Sequence, residues 1–328
     1  MATLQPPSPP PPPDICTVLS ETKRIIKAHS HHFLVLSVLF LLPQSFASVV
    51  FAALIYHIPN NSQAFVVLTD FSPEPGQAII PSKTLLLFLA YYLFNALFTL
   101  CAIGSITYSV FQFFYGRPVK LISAVKSILA SFFPLLGTLI VVQIINFAIT
   151  IPFMIILFLV IRGAEFMGFE TEFSSSYFLG LVLVLAIVTI AVLLYLQVIV
   201  NLAYVVVVVE SKWGLQSLRR SASLMKGMKR VVFSLSLIFM IFGALFLWEA
   251  LLFEVGDGWN IVLIVYNSGL LIMVQLYNLA SNTVLYVYFK AIHGELSFGN
   301  AEVFGRDYVS LPFDNEKVPH LASVCILE

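Results

Sequence analysis

Six long apolar runs separated by short polar connectors set the pattern of this chain: Phe33–His57, Thr84–Phe114, Ile128–Ile161, Tyr177–Val209, Val231–Phe253 and Ile261–Phe289. A helix rises 1.5 Å per residue, so about 20 apolar residues cross a hydrocarbon core about 30 Å thick. The pattern predicts an all-α, polytopic membrane helical bundle with six transmembrane helices. Residues 1–32 form a proline-rich tail and a juxtamembrane amphipathic helix, 33–289 the six-span domain, and 290–328 a polar tail. Pro43, Pro134 and Pro152 are kink candidates, because proline removes an in-helix donor. Thr84–Phe114 is longer than the core requires, so it tilts or emerges on one side. Within it, Cys101, Ser105 and Ser109 recur every fourth residue, a small-residue stripe suited to close helix contact.

Composition agrees with the pattern. The chain of 328 residues is 59% hydrophobic and only 10% charged, with a formal net charge of zero. No nucleic-acid partner follows from such a balance, and the distribution of charge carries the information instead. By alternation of sides, the two tails and the two basic connectors hold 15 of the 17 Lys and Arg, leaving Lys83 and Arg162 opposite. That asymmetry predicts both termini in the cytoplasm. Cys16, Cys101 and Cys325 lie far apart, which is neither a disulfide framework nor a zinc spacing. No secretory signal peptide is expected.

The most charged segment, Glu210–Arg230, separates the fourth and fifth runs. Wound as one helix at about 100° per residue, residues 212–230 put Lys212, Arg219, Lys226 and Arg230 in a narrow arc. Trp213, Leu218, Ala222, Leu224, Met225 and Met228 spread over the other side, interrupted by Ser217 and Ser221. This division predicts a cytoplasmic helix lying in the membrane interface, with the four basic residues as anionic-lipid contacts. The alternative is a solvated loop whose charges only fix topology. The order Glu210, Trp213-Gly214, Leu218-Arg219-Arg220-Ser221 and Leu224-Met225-Lys226-Gly227 resembles the signature loop of the glycerophosphoryl-diester-phosphodiesterase membrane-domain-like proteins. Over residues 15–315 the chain is similar to a plant branch of six-span proteins in that group. The group's name comes from proteins that fuse such a membrane region to a separate catalytic barrel. No such barrel is expected here.

Amides inside the spans are the remaining candidate chemistry. Asn267, Gln275, Asn278 and Asn282 fall within an arc of about 80° on the sixth span. Gln143 with Asn146, Gln197 with Asn201, and Asn95 add to them. Buried amides need partners, so these faces point into the bundle, either as interhelical hydrogen bonds or as a polar path. Charge at membrane depth is scarce; Glu249 sits near a span end, where it reaches the interface. The sequence has no HExxH, GxSxG, P-loop or GxGxxG pattern, so no enzyme and no cofactor is expected. His29, His31 and His32 lack an adjacent carboxylate or cysteine and read as an interfacial polar cluster, not a metal site.

Met1–Pro13 is an exposed polyproline tail, disordered in the first reading and a docking site for a proline-binding protein in the second. Asn60-Asn61-Ser62 matches a glycosylation sequon close to a span end. Tyr308-Val309-Ser310-Leu311 has the form of a sorting signal, and Cys325-Ile326-Leu327-Glu328 ends in a residue that suits prenylation badly. The sequence-level expectation is a non-enzymatic, lipid-interacting or scaffold protein of the endoplasmic reticulum, wider endomembrane system or plasma membrane. The alternative is a carrier or channel for a small or lipidic solute.

Overall fold

A computed structural model describes residues 13–57, 82–166, 176–251 and 258–293, and every element among them is helical. α1 is Ile15–Ala28 and α2 is Ser30–Leu36; a π-helical turn, Ser37–Leu41, leads into α3, Leu42–His57. α4 is Ser82–Phe114, α5 Leu121–Phe166, α6 Ser176–Glu210, α7 Leu215–Leu224, α8 Lys229–Leu251 and α9 Gly258–Ile292. Six segments are long and apolar enough to cross a membrane: Ser30–Ala52, Leu85–Phe114, Leu121–Val160, Val182–Glu210, Lys229–Glu249 and Ile261–Ile292. The chain is an all-α, multi-pass integral membrane protein. The proline-rich tail through residue 12, the Asn60 sequon, and the tail beyond residue 293 with Tyr308 and Cys325 lie outside the described residues.

The predicted spans and the helices agree, with three informative differences. The helix that holds Pro43 is not a continuous α-helix. The π turn just before the proline absorbs the disturbance, with the Leu42 N–H donating to Ser37 O. A proline at 43 cannot donate to the Leu39 carbonyl and crowds it, and a wider turn relieves both. α5 begins at Leu121 rather than Ile128, so the basic connector is shorter and Lys126 stands on a helix. Pro134 and Pro152 remain inside that helix. α9 runs past Phe289 to Ile292, which brings Lys290 onto the same helix as the span-six amides.

The main core gathers at the end of the bundle where the basic connectors lie. Val18 and Ile25 of α1, Phe33 of α2, Val110 of α4, Val205 of α6 and Phe289 of α9 are buried in one cluster. The juxtamembrane helix is thus docked on the bundle by its apolar side. In the small-residue stripe of α4, Ser105 and Ser109 have no exposed surface, while Cys101 is half-buried. The serine hydroxyls donate to the carbonyls of Cys101 and Ser105, each at 2.8 Å, and the Ser109 hydroxyl also meets His32 of α2. At the other end, Leu86, Leu159, Val184, Trp248 and Ile261 are exposed. In a bilayer such side chains meet lipid. Only 6% of the most apolar stretch of α5, and of α6, is buried, against 28% in α9, so α9 is the more central helix.

Candidate functional site: a basic end and an intramembrane amide face

At the basic end the chain reverses sharply after α6. Ser211 has φ 55 and Gly214 has φ 63 with ψ −135, the latter a conformation that side chains rarely tolerate. The Gly214 N–H donates to Thr138 Oγ1 of α5 at 2.9 Å. Beside it Trp213 lies over Gly137, whose missing Cβ would stand 3.0 Å from the indole. The Trp213 ring fills that gap and remains 63% exposed.

From this turn α7 packs back along α6. Ser217, Leu218, Ser221 and Leu224 are buried, and Ser221 Oγ donates to the Ile199 carbonyl at 2.7 Å. The predicted single helix over 212–230 is therefore divided. It ends at Leu224, Gly227 takes φ 97 in the turn, and α8 starts at Lys229. The side read from the sequence as lipid-facing is used differently: Leu218, Leu224, Met225 and Met228 are buried in the protein. Of the two serines that interrupt the apolar side, Ser221 makes the hydrogen bond of that docking, while the buried Ser217 hydroxyl donates to the Gly214 carbonyl at the start of its own helix. The basic residues do point away. Lys212, Arg219, Lys226 and Arg230 are all exposed, as is Lys229. They do not share one helix face, because the turn intervenes between Arg219 and Lys226.

Sequence reasoning missed the centre of this end, Glu210. Its carboxylate accepts from Lys212 Nζ at 2.8 Å and from the Tyr286 hydroxyl of α9 at 2.7 Å. Arg220 Nε of α7 approaches to 3.5 Å and Lys290 Nζ of α9 to 3.8 Å. One carboxylate thus joins α6, α7 and α9, and three cations surround it. Hydrogen bonds to charged groups contribute roughly 1.5–3 kcal/mol each, more than neutral ones. The signal in the sequence was a lone Glu closing an all-valine run, with Tyr286 and Lys290 one turn apart on the last span.

The rim at α1 and α2 also carries titratable groups. Burial pushes the Glu21 carboxyl up, and the Arg24 guanidinium at 2.8 Å partly offsets this. Burial lowers the His29 pKa; its ring stacks on Phe113 with centroids 3.8 Å apart. His32 Nε2 lies 3.1 Å from Ser109 Oγ, whereas His31 is exposed. The Tyr115 hydroxyl, buried near Arg117, is pushed up to about 12 by burial, with Arg117 acting in the opposite sense.

The span-six amides do not converge on one place. Asn267 Nδ2 reaches Glu249 Oε2 of α8 at 3.5 Å, and Gln275 Oε1 accepts from Ser45 of α3 at 3.2 Å. Asn282 Nδ2 donates to both the carbonyl and Oδ1 of Asn278 at 2.8 Å. Asn95 Nδ2 of α4 donates to Ser48 of α3 at 3.0 Å. These bonds tie helices together or stay within one. Asn278 is the exception, since it borders a cavity with Gln197 and Asn201 of α6. No curated protein and no solved structure matches the chain. Residues 14–312 match the family described as a domain of unknown function (DUF8558), and the chain belongs to that family.

Proposed function

We propose that this protein is a non-enzymatic, lipid-interacting membrane protein of the endomembrane system, with a scaffold role exercised from its basic end. That end lies in the cytoplasm with both termini, following the concentration of Lys and Arg there. The observation that carries the reading is how the basic residues are displayed. Glu210 is already surrounded by Lys212, Arg220 and Lys290. Among the described residues no carboxylate pairs with Arg219, Lys226, Lys229 or Arg230, and all four are exposed. Arg219 stands on the docked α7 and Lys229 and Arg230 on α8, so little backbone ordering remains to oppose binding. Each basic residue near an anionic surface contributes about 1 kcal/mol. Phosphorylation at Ser223, three residues after Arg220, would place about −1.5 to −2 charges beside them and weaken the contact.

The carrier reading has one observation in its favour, the cavity at Asn278. Against it, Asn267 and Gln275 spend their amides on neighbouring helices rather than on an open path. The proline-rich tail adds a second class of partner, a proline-binding protein.

The test is lipid retention by the full chain, purified from mixed vesicles and weighed intact. Replacing Arg219, Lys226 and Arg230 with Gln is expected to cut retained anionic lipid by about tenfold or more. Retention unchanged in the triple variant overturns the lipid reading. Sidedness has its own check: a cysteine at exposed Gln216 should resist an impermeant reagent in sealed right-side-out vesicles, and labelling there overturns the cytoplasmic assignment.

A further inference from the structure

Between α6, α8 and α9 lies a cavity of about 120 Å³ bordered by Gln197, Asn201, Ser236 and Asn278, with Phe233 and Met240 among its apolar walls. Gln197 is exposed on the outer surface of α6, so the cavity opens sideways, where lipid meets the protein. Exposed amides at such a place are costly unless something bonds them.

The amides also present a defined pattern. Gln197 Nε2 donates to Asn201 Oδ1 at 3.1 Å, which leaves a Gln197 carbonyl oxygen and an Asn201 N–H for the cavity. Asn278 Oδ1 is taken by Asn282, which leaves the Asn278 N–H group. Ser236 is more than nine-tenths buried, and its hydroxyl makes no hydrogen bond among the described residues. Two donors, one acceptor and one hydroxyl therefore surround a small space.

We propose that this groove binds the head of an uncharged lipid carrying a hydroxyl beside an ester or amide carbonyl. Three observations select that chemistry. None of the lining residues is charged, so nothing there compensates a phosphate. The groove lies deep: Asn201 and Gln197 stand nine and thirteen residues before Glu210, or about 14 and 20 Å along the helix. A charged head at that depth in a 30 Å core is excluded by its desolvation cost, whereas a neutral one reaches it. The volume suits a glycerol-sized head, and Phe233 and Met240 offer apolar surface to the chains. This site is separate from the basic end, on different residues and for a different headgroup class.

The experiment uses the full chain in phosphatidylcholine vesicles with trace photoactivatable diacylglycerol, and in a parallel arm photoactivatable ceramide. Labelled positions are read by peptide mass spectrometry. Labelling is expected on residues 194–201 and 233–240, competed by excess unlabelled diacylglycerol or ceramide. The arm with stronger labelling identifies ester or amide as the preferred carbonyl, and either result supports the site. Gln197→Leu and Asn278→Leu should each reduce labelling there by about tenfold, the effect of losing a hydrogen bond near 1.4 kcal/mol. Gln197→Leu replaces an exposed amide by an apolar side chain, so its folding is not at risk. Labelling spread evenly over all lipid-facing helices, equal labelling by photoactivatable phosphatidylcholine, or labelling unchanged in Gln197→Leu overturns the proposal.

Discussion

The two ends of the bundle are built from different residues and are packed differently. At the basic end, Glu210, Tyr286, Lys290, Ser221, Thr138, Gly137 and Gly214 bring α5, α6, α7 and α9 into contact. At the far end, the same long helices present Leu, Ile, Phe and Val to the surroundings. Both ends are strongly apolar, so hydrophobicity does not distinguish them. Lipid tails are as apolar as leucine, and burying leucine against another helix gains little in a bilayer. Small residues, hydrogen bonds and ion pairs decide where membrane helices meet. The basic end has them and most of the far end does not, the bond between Glu249 and Asn267 being a long one.

The largest expected effect compares two glycines. Gly137→Val forces a side chain against Trp213 and should cost about 1–3 kcal/mol. Gly243→Val has open space and should change stability by less than about 0.5 kcal/mol. Next come two carboxylates. Glu210→Gln should cost about 1–2 kcal/mol of detergent stability, more than an exposed pair and less than a fully buried one, because the carboxylate is only partly buried and Lys212 is exposed. Glu249→Gln at the far end should stay within about 0.5 kcal/mol. Equal losses in thermal unfolding would remove the distinction between the ends. A smaller loss, about 0.6 kcal/mol, is expected for Gln275→Leu, which removes the bond from Ser45.

The smallest effect depends on pH. The folded His29 pKa lies below its ordinary value of 6.5, so an unfolded chain takes up the proton first. Because burial disfavours the charged ring, stability is full above that value and falls as pH drops through it. A slight loss of stability on acidification from neutrality should shrink in His29→Phe. Glu21 works in the opposite direction, because its folded pKa is raised and its contribution fades as pH rises. A pH response of unchanged size in His29→Phe would show that another group is responsible.

Most of the fold was legible because membrane helices announce themselves by length and apolarity. The six spans, the buried Ser105–Ser109 stripe and the outward Lys and Arg near residue 220 all follow from pattern. What escaped was pairing over long sequence distance. Glu210 meets Tyr286 and Lys290 from the last helix, and nothing local to Glu210 indicates them. The docking of α7 escaped for a related reason. Its amphipathic pattern fits a lipid surface and a protein surface equally well, and the bond from Ser221 to the Ile199 carbonyl of α6 tells them apart. The amide arc was visible as an arc, but each amide found a different neighbour, because α9 is central and touches helices on several sides.

The docking of residues 215–225 is the point on which the account of the basic end rests, and hydrogen exchange in nanodiscs addresses it directly. An isolated helix of ten residues is marginal in water. If the segment is packed on α6 as described, its amides exchange slowly in pure phosphatidylcholine, adding anionic lipid changes little, and Glu210→Gln accelerates them. Exchange at the unprotected rate in phosphatidylcholine, or protection that appears only with anionic lipid, would contradict it.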